Sequence, residues 1–293
     1  MKPTHRLLAC LLLFASSLLP ARAQDGGGPA LQGRYAVMRG QLGENGFKQP
    51  LYLTSHEASN SVDGEIYALL PQAYGTLQQA LSHPTFWCEI LLLHLNTKHC
   101  HAQSDGQGTV LQLHVGKRYD QAFEDAYRFD FAWHEVSSTP DYLQLRLNAE
   151  AGPYGTRDYQ ILFEAVPVEG GHSFIHLSYA YGYGLMGKLA LGAYLNTVAR
   201  GKVGFSQDKP GSLIGGARGL MERNTMRYFL AIDAALAELP SPPRLRAEQS
   251  LKRWFEAVEQ YPRQLHELEW ETYIAMKRKE YAREWADGSL PSP

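Results

Sequence analysis

The feature of this sequence that most restricts its fold is a series of segments in which apolar and polar residues alternate. In residues 127–133, an aromatic side chain takes every odd-numbered position, and the even-numbered positions are polar or small. Residues 143–148 repeat the alternation with leucines. A period of two is typical of a β-strand with one buried and one solvated face. The two segments therefore predict strands of a half-buried sheet.

Other segments extend this sheet. Further strands are predicted at residues 34–38, 51–55, 65–69, 109–115, 159–166 and 172–181. Turns are expected at residues 152–155 and at Glu169-Gly170-Gly171, because glycine and proline interrupt the alternation there. Consecutive strands with short turns favour an antiparallel meander. The Gly-rich residues 24–33 are expected to be flexible, and the polar residues 96–108 are expected to form a loop.

Helical spacing of apolar residues flanks the meander on both sides. Two short helices are predicted before it, at residues 71–82 and 85–95. The predicted helices after it cover residues 185–200, 215–239, 245–259 and 265–285. The fold class is therefore α+β.

The N-terminus has the pattern of a cleavable export signal. Lys2 and Arg6 precede an apolar stretch at residues 7–19, and Ala21-Arg22-Ala23 gives the small-x-small pattern of a cleavage site. This predicts a signal peptide over residues 1–23 and a periplasmic or secreted protein. An uncleaved anchor would need ~20 apolar residues, and lipidation at Cys10 would leave too short an apolar segment before that cysteine.

Charge argues against some partners. Removal of residues 1–23 leaves 25 basic and 30 acidic residues, a net charge of −5. An acidic chain of this kind is not expected to bind nucleic acid. Overall charge alone would also not attach it to anionic lipid.

Two cysteines remain after the predicted cleavage, Cys88 and Cys100. An even count in an exported chain favours a disulfide between them. The alternatives are a metal site that uses the nearby histidines 94, 99 and 101, and a Cys–His nucleophile pair. A second pair of zinc ligands is not evident, so no metal and no cofactor are predicted.

The order of these elements resembles a known superfamily. A strand at residues 64–70 runs into Pro71 and a helix that ends at Ser82-His83-Pro84, and Phe86-Trp87-Cys88-Glu89 opens the next helix. Long strands follow, and then residues 173–183 with a helix behind them. Over about residues 51–207 this pattern resembles the START-like (SRPBCC, helix-grip) superfamily. The resemblance implies a curved antiparallel sheet around a long helix, with additional C-terminal helices.

The resemblance also implies a domain division and a binding site. A START-like domain would cover residues 34–209 and a helical region residues 210–293, with the gripping helix at either residue 185 or residue 215. Cavities of this superfamily hold lipids, sterols or polyketides between the sheet and the helix. The side chains that would line one here are Phe129, Phe131, Trp133, Leu145, Leu147, Ile161 and Phe163. Tyr179 and Tyr181 would lie at its mouth, and Arg157 would anchor a polar head group.

Each of these assignments has an alternative. The apolar residues could pack on the helix and leave no cavity, the tyrosines could form a cross-strand ladder, and Arg157 could lie in a solvated turn. The predicted function is the binding or carriage of an apolar, lipid-like small molecule. One alternative is a cyclase- or hydrolase-type enzyme in the same cavity, with Glu89 as an acid–base candidate if it is buried. The other is an envelope structural or partner-binding protein that docks an envelope protein through its C-terminal helices, residues 245–293.

Overall fold

The structure is a computed structural model, and it describes residues 27–197 and 200–290, with the backbone alone at position 154. The signal peptide predicted at residues 1–23 lies outside the described residues and stays a prediction. Among the described helices, none combines the length and the apolar character that crossing a membrane requires.

Eight antiparallel strands form one large sheet. Their bounds are β1 Leu51–Glu57, β2 Ser61–Leu70, β3 Thr97–Asp105, β4 Gly108–Val115, β5 Tyr127–Thr139, β6 Tyr142–Ala151, β7 Thr156–Val168 and β8 His172–Tyr183. The order across the sheet is β1-β2-β8-β7-β6-β5-β4-β3. The meander predicted from the alternating segments is confirmed. The first hairpin, β1–β2, lies beside the last strand of the sheet. In this position β2 pairs with β8 from Ser61↔Gly182 to Leu70↔Ser173.

Eight α-helices, three short 3-10 helices and a small hairpin make up the remaining elements in the described part of the chain. The α-helices are α1 Gly27–Gly43, α2 Tyr74–Leu81, α3 Pro84–Leu92, α4 Leu185–Asn196, α5 Gly216–Ala237, α6 Pro243–Glu259, α7 Pro262–Leu265 and α8 Trp270–Ala286. The hairpin pairs β9 Gln207–Lys209 with β10 Ser212–Leu213.

The helix that the sheet grips is α5. Met221 and Thr225 of α5 pack closely against Gly64 of β2. A Cβ atom at position 64 would lie 2.6 Å from the Thr225 hydroxyl oxygen. A glycine is therefore required at position 64. The concave face of the sheet and α5 share one hydrophobic core, so this core extends across the domain boundary predicted at residue 209. The fold is an α+β helix-grip arrangement with additional C-terminal helices.

The prediction for the N-terminal segment is wrong. Residues 34–38, predicted as a strand, and residues 27–33, predicted as flexible, are parts of α1. The buried side chains of α1 include Leu31, Met38 and Leu42, which follow helical spacing. They pack with Val166 and Phe174 on the convex face of the sheet, and this burial stabilises a helix that its glycines disfavour.

The prediction of a loop at residues 96–108 is also wrong, because most of this segment forms β3. This strand is polar, yet Thr97, Lys98 and Cys100 are buried. Lys98 forms an ion pair of 2.9 Å with Glu280 of α8. The polar composition of the first half of β3 therefore reflects contact with charged helix residues, whereas Gln103, Ser104 and Asp105 at its end are exposed.

The C-terminal helices complete the core. The Tyr273 hydroxyl donates to the Leu93 carbonyl oxygen at 2.9 Å, and Lys277 Nζ donates to the His94 and Thr97 carbonyl oxygens at 2.7 and 2.9 Å. Trp254 of α6 stacks on Tyr273 with 5.2 Å between ring centroids. A docking role for these helices towards an envelope protein is not supported, because most of their apolar side chains pack against the core, and Leu245 is the one large apolar side chain of this segment that is exposed among the described residues.

The predicted disulfide is present. Cys88 of α3 is bonded to Cys100 of β3, both cysteines are fully buried, and their Cα atoms lie 5.2 Å apart. The bond joins α3 to the edge strand of the sheet. A closed loop of this length stabilises a fold by about 3 kcal/mol.

Candidate functional site

The candidate site is the concave face of the sheet. Opposite residues on neighbouring strands point to the same face. Leu145 pairs with Phe163, which pairs with Leu177, and Ile161 pairs with Tyr179. The register therefore places the predicted lining residues of β6, β7 and β8 on one face, where they meet α5 and α3.

One part of this face is closely packed, and we call it the filled half: Leu145, Leu147 and Phe163 with Trp87 of α3. The three sheet residues have no exposed surface at all. The Trp87 ring meets the Phe163 ring edge-on, with 6.0 Å between centroids. The Trp87 indole N–H donates to the Leu81 carbonyl oxygen at 2.8 Å, which fixes the ring. Here the alternative of packing without a cavity is the observed one.

The other part carries a cluster of rings, and we call it the aromatic half: Phe129, Phe131, Tyr159, Tyr179, Tyr181 and Tyr228. The Tyr159 ring lies 5.1 Å from those of Phe129 and Tyr181, and Tyr228 of α5 lies 5.6 Å from Tyr179. The sheet residues of this half keep 6–8% of their surface exposed, and Tyr228 is only partly buried. The rings therefore border space that the filled half lacks.

The tyrosine hydroxyls of the aromatic half support the same interpretation. Tyr159 donates to the Thr156 hydroxyl oxygen at 2.7 Å. Among the hydrogen bonds of the described residues, none involves the hydroxyls of Tyr179, Tyr181 or Tyr228. These three oxygens are also absent from the fully enclosed, unpartnered polar atoms of the described chain. Within the described part of the chain these hydroxyls are therefore unpaired and available to bond a guest or water.

Burial sets the protonation state of these hydroxyls. It raises the pKa of Tyr159 and of Tyr228 to about 12. It also raises the pKa of Tyr179 and Tyr181, with a further rise from the neighbouring tyrosines. At neutral pH all four are protonated, so Tyr179, Tyr181 and Tyr228 can each donate a hydrogen bond to a ligand, while the proton of Tyr159 is bound to Thr156.

His94 lies behind the aromatic half, and its ring stacks on Tyr228 at 5.4 Å. Burial lowers the pKa of His94 well below 6.5, and the charges of Arg227 and Lys277 lower it further. Its Nδ1 accepts a hydrogen bond from the Asn96 backbone N–H at 3.2 Å, so the neutral ring carries its proton on Nε2. The metal alternative for the histidine cluster receives no support from this position, since no metal-suited group of three or more ligands occurs among the described residues.

Arg157 does not lie on the concave wall. It pairs with Gly182 at a bulge where the β7–β8 register shifts, and its side chain is about half exposed, at 55%. A cleft of about 240 Å³ opens at this bulge, and its walls include Arg157, Asp158 and Tyr181. Two of the predicted site residues, Arg157 and Tyr181, border this cleft, but Arg157 pairs with Gly182 and so lies on the face opposite to the Tyr181 side chain.

The other predicted residues divide between the two halves. Ile161 lies between Leu147 and Tyr179 in the register and keeps some exposed surface. Trp133 pairs with Leu147 and is partly buried near the edge of the concave face. Glu89 lies outside the site and binds Arg246 at 2.9 Å. Burial raises the pKa of Glu89, while Arg246 lowers it.

Sequence reasoning missed three residues of the site. Tyr159 lies in the strand predicted at residues 159–166 and continues the alternation of Ile161 and Phe163, so the same pattern could have placed it on the inner face. Tyr228 carries no such signal, because α5 is buried on nearly all sides and has little apolar periodicity. His94 was considered only as a metal ligand.

Comparisons with known proteins give a resemblance in shape alone. The chain matches no protein-family profile and no curated protein. A norcoclaurine synthase point mutant of Thalictrum flavum, in complex with a transition-state analogue, has 14% identity over 66% of this chain and 98% of that chain, with a TM-score of 0.38. Ara h 8.0201 has 9% identity over 64% and 98%, with a TM-score of 0.37. A conserved protein from Geobacillus kaustophilus has 12% identity over 61% and 95%, with a TM-score of 0.36. The fold assignment above rests on the sheet order and on the packing of α5.

Proposed function

We propose that this chain is an exported protein of the START-like type that binds and carries an apolar small molecule in the aromatic half of its interior. The observation that carries the proposal is the set of three tyrosine hydroxyls on the aromatic half, Tyr179, Tyr181 and Tyr228, which have no partner among the described residues. Apolar walls with a few placed polar groups are typical of small-molecule sites.

The chemistry of the lining indicates the class of ligand. Phe129, Phe131 and Ile161 offer apolar surface, and the tyrosines offer hydrogen-bond donors at one side. A ligand that matches this surface has an extended apolar or aromatic body and at least one acceptor oxygen.

The enzymatic alternative, a cyclase or hydrolase in the same space, needs a group that accepts a proton at neutral pH. The tyrosines of the aromatic half have raised pKa values, so they are donors and not bases. The carrier function is therefore the better supported of the two.

Binding of the neutral fluorescent probe phenylnaphthylamine tests the proposal. We expect saturable binding to the wild-type protein with a blue-shifted emission. Ala149→Leu adds volume beside Tyr159, its partner in the register, and is expected to weaken probe binding roughly five- to tenfold. Ala30→Leu makes the same change at an exposed position of α1 and should leave binding unchanged.

Two further measurements complete the test. Native mass spectrometry of the purified protein should show a copurified apolar molecule, and its intact mass should show the loss of residues 1–23. A protein that binds no probe and retains no ligand would contradict the carrier function, and an unprocessed N-terminus would contradict export. Turnover of a bound ester or polyketide would favour the enzymatic alternative instead.

A further inference from the structure

The outer face of α4 is the most concentrated apolar surface in the described structure. Leu185, Met186 and Leu189 are 76%, 73% and 61% exposed. Seven large apolar side chains are exposed among residues 27–197 and 200–290, and these three lie within five consecutive positions. The other four, Val37, Tyr52, Val136 and Leu245, are isolated in the sequence. Isolated exposed apolar residues are ordinary, whereas a contiguous group marks an interaction site.

The position of α4 is fixed by its inner face. Gly187 packs against Gly155 and Tyr183 so tightly that a Cβ at residue 187 would lie 3.0 Å from the Gly155 carbonyl oxygen and from the Tyr183 Cβ. Leu191 and Leu195 contact the main core. The helix is therefore held on the protein by these residues, and Leu185, Met186 and Leu189 are left on its outer side.

The charged residues of the chain segment that carries this face are of one sign. Residues 184–206 contain Lys188, Arg200 and Lys202 and no aspartate or glutamate, in a chain with 30 acidic residues. Lys202 is paired with Glu267 at 2.8 Å. Lys188 and Arg200 are exposed, and no ion pair is found for either among the described residues. A positive apolar face on an acidic protein is complementary to a surface that is itself apolar and negatively charged.

From this geometry we propose that the outer face of α4 docks on a lipid bilayer that contains anionic lipid. The helix has 12 residues, so it is about 18 Å long, which is shorter than the ~30 Å hydrocarbon core. It lies in the plane of the interface, with Leu185, Met186 and Leu189 among the acyl chains and Lys188 at the headgroups. The attraction is local, so it is compatible with the acidic net charge of the whole chain.

A second copy of this chain fits the face less well. A two-fold contact would bring two copies of the positive charges of Lys188 and Arg200 into one interface, which is unfavourable. The three apolar side chains also form a much smaller patch than the ~800 Å² per partner of a stable interface. Both points favour a lipid surface as the occupant.

Cosedimentation with vesicles tests the docking. The wild-type protein should partition onto phosphatidylcholine vesicles that contain phosphatidylglycerol, and more weakly onto phosphatidylcholine alone. The triple variant Leu185→Gln, Met186→Gln, Leu189→Gln should lower the partition coefficient by roughly tenfold or more. The variant Lys188→Glu should lower it severalfold on the anionic vesicles only.

The matched control is the triple variant Val37→Gln, Val136→Gln, Leu245→Gln, which removes three exposed apolar side chains elsewhere and should partition like the wild type. All variants share one N-terminus, so any contribution of residues 1–23 cancels. Thermal unfolding monitors folding, and exposed positions of this kind tolerate glutamine.

Three results would overturn the proposal: no binding of the wild type to either vesicle, equal partition of the α4 triple variant and the wild type, or a wild-type dimer that the α4 triple variant converts to a monomer. The last result would assign the face to a second copy. Docking stands apart from the proposed carrier function, because probe binding in solution should be the same in the α4 triple variant and the wild type.

Discussion

The two halves of the concave face share one sheet and one core but differ in what lies against them. The filled half meets a tryptophan of α3 that is fixed by a hydrogen bond to Leu81. The aromatic half meets only rings, and three of its hydroxyls have no partner among the described residues. The difference shows that apolar strand faces of the same pattern can have separate roles, and that the opposing element decides which role each has. We expect the filled half to stabilise the fold and the aromatic half to bind.

The largest expected effect is on the filled half. Phe163→Ala should lower the free energy of unfolding by about 3–5 kcal/mol, because the rigid surroundings of Trp87 cannot collapse into the cavity. Urea unfolding followed by tryptophan fluorescence measures the loss. Phe129→Ala removes the same ring from the aromatic half and should cost clearly less, since that ring already borders open space. Equal losses would show that the two halves are packed alike.

A smaller effect is expected from pH at the back of the aromatic half. The pKa of His94 is lowered by burial and by Arg227 and Lys277, so His94 is neutral in the folded protein and protonates at about 6.5 when unfolded. The free energy of unfolding should therefore fall as the pH drops below about 6.5, by at most ~1.4 kcal/mol per pH unit, until the lower folded pKa is reached.

The variant His94→Gln isolates this contribution. It should flatten the dependence of the urea midpoint on pH between neutral pH and pH ~5, the range just below the unfolded pKa. His56→Gln, at an exposed site on β1, serves as the control and should keep the wild-type slope. If both variants retain that slope, His94 is not the group responsible.

The smallest effect should come from a single hydroxyl. Tyr179→Phe removes a group without a partner among the described residues and should change the free energy of unfolding by less than ~0.5 kcal/mol. Tyr273→Phe removes a buried hydroxyl that donates to the Leu93 carbonyl oxygen, and it should cost about 1 kcal/mol. A similar cost in both variants would mean that the Tyr179 hydroxyl has a structural role.

Much of the fold follows from the sequence because the sheet has one buried face. The alternation in β5 and β6 predicts those strands, and the short turns between strands predict the antiparallel order. The prediction failed where burial and polarity diverge. In β3, the polar residues Thr97 and Lys98 are buried, so the strand lacks the apolar alternation that would predict it. In α1, the glycines disfavour a helix, but burial of Leu31 and Met38 stabilises it.

The site was predictable in part, because its strands also have one buried face. Local alternation places Phe129, Phe131 and Ile161 on the inner face of their strands. It cannot distinguish the filled half from the aromatic half, because that depends on Trp87 and Tyr228, which come from distant helices. It also cannot place Arg157 outside the wall, because the register shift between β7 and β8 arises from pairing across two strands.

The position of α5 in the chain has a consequence for synthesis. The strands of the sheet end at Tyr183, and the helix that covers their apolar face begins only at Gly216. A chain that emerges from its N-terminus therefore presents an uncovered apolar surface until residue 237 is available. Before that point no stable folded intermediate with a closed core can form. Any product that stops short of α5 is expected to be held by chaperones, degraded or aggregated.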